Sequence, residues 1–231
     1  MSRTRSLLPL LVALMPLAGH ALEVNIDPHA DLLYRQALPL LEQADNQEDG
    51  ASTLRTSIGG DPELSRQGQA LAHTLPTAVA LLKKSVDLGH PVAQYRLALY
   101  YMTYLPAGQI ADAACPLLEA SLKQGFAAPA PAIATWCAPY NASSEYRAAL
   151  EAIPNMATVY AAYYPQPAPR LVCNRSRPQG LEMLWGRQRD YQAELYRLLG
   201  DLDPQHRQSL LQKAVDTNGC VTAQRQLTSR P

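Results

Sequence analysis

The chain has little of what builds a sheet. Phenylalanine occurs once and alternating runs of β-branched residues are missing, while Ala and Leu are abundant. That composition predicts an all-α fold. Net charge is lacking too: 20 basic residues balance 20 acidic ones, so nothing draws the chain to nucleic acid. No C-x-x-C pair occurs among the four cysteines, which removes the usual spacing of a redox motif or a zinc ribbon. His29, His73, His90 and His206 form no i, i+4 pair and no H-E-x-x-H, so no metal site is expected. Ser143, Ser144 and Ser209 stand outside any Gly-x-Ser-x-Gly frame. Without a catalytic constellation the chain is expected not to be an enzyme and to carry no cofactor.

Long apolar runs are confined to one place. Arg3 and Arg5, then Leu7 to Leu17, then Gly19-His20-Ala21 read as a signal peptide over residues 1–21. The apolar run is too short to span a bilayer comfortably. A lipoprotein would place Cys after Leu17-Ala18-Gly19, where this chain has His20. No membrane anchor is therefore expected after cleavage, and residues 22–231 are expected in the periplasm or outside the cell. All four cysteines, Cys115, Cys137, Cys173 and Cys220, lie in that part, and an even count in an oxidising compartment argues for two disulfides. Leu22 to Ala70 carries nine acids against three arginines, net −6. A solvated acidic face is the plain reading, and an arm that meets a basic partner is the sharper one.

Several prolines precede helical patterns: Asp61-Pro62, Leu75-Pro76, His90-Pro91 and Asp203-Pro204. Proline at the first helical position loses no hydrogen bond and has its φ preset. The clearest unit runs from Pro76 to Tyr104. Its first helix carries Val79, Leu82 and Val86 at helical spacing, with Lys83, Lys84 and Asp87 turned elsewhere; Gly89 closes it. Pro91 opens a second helix with Ala93, Leu97 and Tyr101 on one stripe. The end of this helix, Ala98 to Tyr104, is apolar nearly all round and is expected to be covered on every side. The plan recurs 36 residues on, from Gly89 to Gly125, where Leu118, Ser121 and Ile133 match Leu82, Ser85 and Leu97. A third copy holds Leu210, Leu211, Gly219, Ala223 and Leu227. Such periods belong to helical-hairpin arrays.

These residues resemble the Sel1-like repeat family, a relative of tetratricopeptide repeats. The family's pattern is matched at Lys84, Gly89, Ala93, Leu97 and Tyr101, with Ala98 where the family prefers Gly and Tyr104 near the place of its helix-closing Gly. The match covers residues 77–104, part of 110–136, and a truncated copy over 209–227. The resemblance implies a right-handed α-α superhelix used as a protein-binding scaffold, expected here to be short and stapled by the two disulfides that the cysteine count predicts. On the repeat, Cys115 sits near the start of one helix and Cys137 just past the end of its antiparallel partner. That pairs Cys115 with Cys137, and leaves Cys173 for Cys220.

Elsewhere, Leu32 to Ala44 reads as a helix interrupted by Pro39, and Asp45 to Gly60 as a mobile loop. Glu145 to Ile153 and Met156 to Tyr164 read as short helices behind N-cap residues. Residues 165–169, Pro-Gln-Pro-Ala-Pro, read as a stiff connector that divides the array. Leu181 to Leu199 returns to helical spacing, closed by Gly200.

Two surfaces are candidates for a partner. Tyr100, Tyr104, Tyr163 and Tyr164 could line a binding face, since Tyr offers contact area at low entropic cost, against the alternative of core packing. Arg187 and Arg189, with Arg170, Arg175, Arg177 and Arg197, form a local basic excess that is either a solvated face or a match for an acidic surface. The expected function is a periplasmic scaffold or adaptor that binds another protein. The alternative is an immunity protein that neutralises a secreted bacterial toxin.

Overall fold

Proline opens the first three helices and glycine closes the best-matched hairpins. The structure, a computed structural model, describes residues 26–55, 62–168, 171–174 and 184–229. The expected signal peptide, Arg170, Arg175, Arg177 and the stretch 56–60 of the expected loop lie outside those residues. Among the described residues there are nine α-helices: α1 (Pro28–Arg55), α2 (Pro62–Asp87), α3 (Pro91–Tyr104), α4 (Ala107–Lys123), α5 (Ala130–Trp136), α6 (Ser144–Ala152), α7 (Gln188–Leu202), α8 (Arg207–Asn218) and α9 (Val221–Thr228). Two three-residue strands, β1 (Gln166–Ala168) and β2 (Leu184–Gly186), pair antiparallel with Pro167 opposite Trp185. The fold is all-α, a short superhelical array of hairpins with two disulfides.

The repeat is visible in what its residues do. Ala78 and Ala114, Leu82 and Leu118, and Ser85 and Ser121 are each fully buried. The Ser85 hydroxyl donates to the Ala30 carbonyl and the Ser121 hydroxyl to the Pro91 carbonyl, both at 2.7 Å. Each bond ties the end of one helix to the first turn of the helix before it. Gly89, Gly125 and Gly219 all have positive φ (82°, 87° and 75°), the conformation that only Gly adopts cheaply. The His90 amide closes on the Ser85 carbonyl, and the Phe126 amide on that of Ser121. The third copy has one more residue before its glycine, so Gly219 bonds Val215 instead. The extra Asn218 uses its amide to bond the Cys173 carbonyl and Asp190 Oδ1.

Several expectations change on the structure. Pro39 does not interrupt α1 and Pro76 does not begin α2; both lie inside continuous helices. The carbonyls that lose a donor belong to Arg35 and Ala72, which are exposed and open to water. The stretch from Asp45 to Arg55 is helix, not loop, because it pairs along α2. Residues 156–164 form turns and a 3-10 segment (Ala161–Tyr163) rather than a helix. Leu184 to Gly186 is strand. Gly200 lies inside α7, where it lets α8 come close: a β-carbon there would stand 3.3 Å from Leu211. Cys115 lies in the middle of α4, because α4 starts early at Ala107 while α5 is so short that its end reaches only that level.

Of the expected connector, Pro169 lies outside the described residues and Gln166–Ala168 is extended, yet Gln166, Pro167 and Ala168 are buried. Tyr95 and Tyr191 donate their hydroxyls to the Pro167 carbonyl at 2.6 and 3.0 Å. Around it the rings of Tyr95, Phe126, Tyr164 and Tyr191 follow one another at centroid spacings of 5.4–5.8 Å. One core thus runs through the segment from α1 to α7, and a small second cluster sits under α8 and α9 around Cys173–Cys220.

Candidate functional site

From Pro91 to Leu99 every residue of α3 is buried, including Gln94 and Arg96. The last turn is not. Tyr100, Tyr101 and Met102 are only half-buried, and Tyr104 is 42 % exposed, although the sequence there is as apolar as before. The physical reason lies in length. At about 1.5 Å per residue, α1 and α2 run about 40 Å while α3 runs about 21 Å. The first hairpin therefore continues about 18 Å past the end of α3. Where α3 stops against this ledge, α2 and α3 bound a groove of about 490 Å³, within the size range of concave recognition sites. Its floor and walls are Leu71, Leu75, Val79, Tyr100 and Tyr104, with Lys83 at one end. On the other side of Tyr100 and Tyr104 lies a smaller hollow bounded by Leu41 and by Arg96, whose guanidinium pairs with Asp45 at 3.2 Å.

Of the candidate residues, the structure brings together two. The rings of Tyr100 and Tyr104 lie 5.0 Å apart on the rim of the groove. Tyr163 and Tyr164 do not join them. Tyr164 packs between Phe126 and Tyr191, and burial drives its phenol well above the usual range. Tyr163 closes over the start of α1. Arg187 and Arg189 are exposed at the start of α7. Arg187 precedes the helix, its amide bonded to Asp190 Oδ2 at 3.2 Å, and Arg189 stands 3.9 Å from Asp190 Oδ1. Arg197 is committed to Glu194 and Asp201, so the basic excess is partly neutralised within its own helix. The sequence pattern missed the α2 wall of the groove. Leu71 and Leu75 stood before the supposed helix start at Pro76, and a longer helical frame through that proline would have found them.

A second polar cluster resembles a catalytic one in composition only. His90 is buried at the N-cap of α3. Its Nδ1 accepts from the Ala93 amide at 3.2 Å, which leaves the ring proton on Nε2, 3.4 Å from Asp31 Oδ1. Tyr163 donates to the same oxygen at 2.8 Å, and Arg35 Nε to Asp31 Oδ2 at 2.7 Å. Tyr34 stacks on the imidazole at 4.9 Å. Burial pushes His90 below its usual value, against the opposing pull of Asp31. For Asp31, burial works upward, but the bonds from Arg35, Tyr163 and His90 outweigh it and hold the carboxyl low. Burial, then Asp31, push Tyr163 up to about 12. Both imidazole nitrogens are engaged, so the cluster clamps α1, α3 and the 3-10 segment together and offers no lone pair to a substrate.

Among the described residues no group of three or more His, Cys, Asp or Glu could hold a metal ion, and no helix is long and apolar enough to cross a membrane. Cys115–Cys137 and Cys173–Cys220 are both bonded, consistent with an oxidising compartment outside the cytoplasm. No family model matches the chain, and no curated protein or solved structure matches it either.

Proposed function

We propose that the mature chain is a periplasmic scaffold or adaptor, built on the plan of Sel1-like repeats, that binds another protein through the groove between α2 and α3. The observation that carries this is the partial exposure of the aromatic last turn of α3. Its aromatic side chains stand over an apolar floor, at the end of a helix whose earlier turns, Pro91–Leu99, are buried in the core. Large amphipathic rings held on rigid elements are what binding hot spots are made of. The repeated burial pattern and the three left-handed glycines support the family resemblance.

The test is affinity capture from the envelope with the oxidised mature chain, compared with Tyr100→Ala and Tyr104→Ala. Partner recovery should fall at least tenfold in each variant while the circular dichroism spectrum stays unchanged. Equal recovery by all three chains would remove the groove from the function. Recovery of a single secreted toxin, in place of envelope proteins, would make the chain an immunity protein.

A further inference from the structure

The His90 side chain is fully buried and held from three sides. Nδ1 accepts the Ala93 amide as the N-cap of α3, and Nε2 faces Asp31 Oδ1. Tyr34 lies flat on the ring at 4.9 Å and Tyr163 covers it edge-on at 5.6 Å. The cap needs a bare lone pair on Nδ1, so it exists only with the neutral imidazole. A proton there sets one donor against another. Ala93 is itself fully buried, so its amide has no water to turn to and the cap is lost while the ring stays in place. The charged and titratable groups that act on the ring are Asp31, Tyr34 and Arg35 from α1 and Tyr163 from the 3-10 segment. The end of α2 meets the residue through the Ser85 carbonyl, which accepts the His90 amide. Asp31 favours the imidazolium and Arg35 opposes it. The pull of Asp31 is limited, because Tyr163 and Arg35 already donate to its two oxygens and the 3.4 Å contact to Nε2 is long for a hydrogen bond.

We propose that His90 is a proton-operated latch: a proton on its imidazole releases the Ala93 cap and lifts Tyr163 off α1 and α3, while the rest of the fold stays packed. This does not depend on what the chain binds. The 3-10 segment is the part that moves. Ala161 and Ala162 are exposed, so its hold on α1 is the Tyr163 ring and the hydroxyl bond to Asp31. On either side the chain is anchored more firmly. Tyr160 donates to the Gln124 carbonyl at 2.8 Å, and Tyr164 packs between Phe126 and Tyr191. The start of α1 is the less movable partner, since Ala30 and Tyr34 are buried and the Ser85 hydroxyl holds the Ala30 carbonyl. Lifting Tyr163 uncovers the imidazole edge and lets water reach it. The open form then takes the proton near the ordinary value of 6.5, which the closed form resists through burial. The ratio of open to closed therefore rises as pH falls below about 6.5, by at most about tenfold per pH unit for one proton. Asp31 stays ionised over that range, so the latch is worked by the imidazole and not by the acceptor of the Tyr163 hydroxyl.

The test uses the oxidised mature chain from about pH 8 to about pH 5. Nitrogen NMR of the imidazole reads the proton, hydrogen exchange reads the amides of Ala93 and Tyr163, and circular dichroism reads the whole fold. The Ala93 amide is bonded to His90 Nδ1 and that of Tyr163 to the Tyr160 carbonyl. Protection of both is expected to fall by up to about tenfold per unit below about pH 6.5, in step with the imidazole signal and at constant helix content. His90→Asn keeps a cap acceptor that does not titrate, and its protection should stay level across the range. Should that variant fail to fold, the imidazole and amide signals of the unaltered chain decide by themselves. An imidazole that stays neutral to the end of the range, or one that protonates with Ala93 still protected, would overturn the proposal. So would an equal fall in His90→Asn, loss of protection in α1 in place of Tyr163, or loss of helix content in step with the proton.

Discussion

The Tyr163 hydroxyl donates to Asp31 Oδ1 at 2.8 Å, across 132 residues of sequence. This bond, with those of Arg35 and His90 to the same carboxylate, fixes the first helix to the middle of the chain. Replacing Asp31 with Ala leaves the buried His90 Nε2 proton and the Tyr163 hydroxyl without their acceptor. The expected loss is about 2 kcal/mol, read as a lower denaturant midpoint with an unchanged slope.

Acid should weaken the same clamp in two stages. His90 is held below its ordinary value of 6.5 in the fold, so the unfolded chain takes up the proton first and stability falls as pH drops below about 6.5. Asp31 is held below 3.8, so its contribution is present above that value and lost further down. His90→Gln should flatten the upper stage of a stability-versus-pH profile and leave the lower one. An unchanged upper stage would mean that another group titrates there.

Alkali should act through the buried tyrosines. Burial raises Tyr95, Tyr146, Tyr160, Tyr163, Tyr164 and Tyr191 above the ordinary value of 10. Their neutral forms stabilise the fold below pH 10, and that contribution is lost as pH rises through the raised values. Phenolate absorbance should therefore rise in a steep step that coincides with loss of helical circular dichroism.

The two disulfides should differ in worth. In the chain-entropy account, loops of 22 and 47 residues correspond to about 3 and about 4 kcal/mol. Paired Ala substitution at Cys173 and Cys220 should cost more than at Cys115 and Cys137. It should also free the small cluster around Leu211 and Ala214 first, seen as early hydrogen exchange in α8.

Two glycines of the same φ should tolerate alanine unequally. At Gly89 nothing lies within 4 Å of an added β-carbon, so Gly89→Ala meets only backbone strain, about 1 kcal/mol. At Gly125 the β-carbon would come within 2.6 Å of Met156 Cγ. Gly125→Ala should add overpacking of about 1–3 kcal/mol, and Met156→Ala should recover part of it.

Much of the architecture was legible because it is local. Gly89, Gly125 and Gly219 mark turns by a conformation that no other residue takes easily, and the 36-residue spacing carried Leu118, Ser121 and Ile133 with it. Pairing of Cys115 with Cys137 and of Cys173 with Cys220 followed from the repeat. What escaped depends on partners distant in sequence. Pro76 looks like a helix start until α1 is known to support a helix through it, and Gln166 to Ala168 looks like a linker until Tyr95 and Tyr191 are seen to bond it. Tyr164 differs from Tyr100 only in what surrounds it, which no local pattern records. The groove was half legible: its aromatic rim was named, and its α2 wall was hidden by the misplaced helix start.

The unequal helix lengths also have a mechanical side. The first hairpin is a lever about 18 Å long beyond its last support on α3. From Ser65 to Thr77 no residue of α2 is buried, and Leu71 and Leu75 of that stretch reach the groove beside Tyr100 and Tyr104. A guest lying along the ledge would move the fulcrum outward and shorten the free arm. Occupancy would then register as stiffness at the far tip, a signal that needs no change of shape at the groove itself.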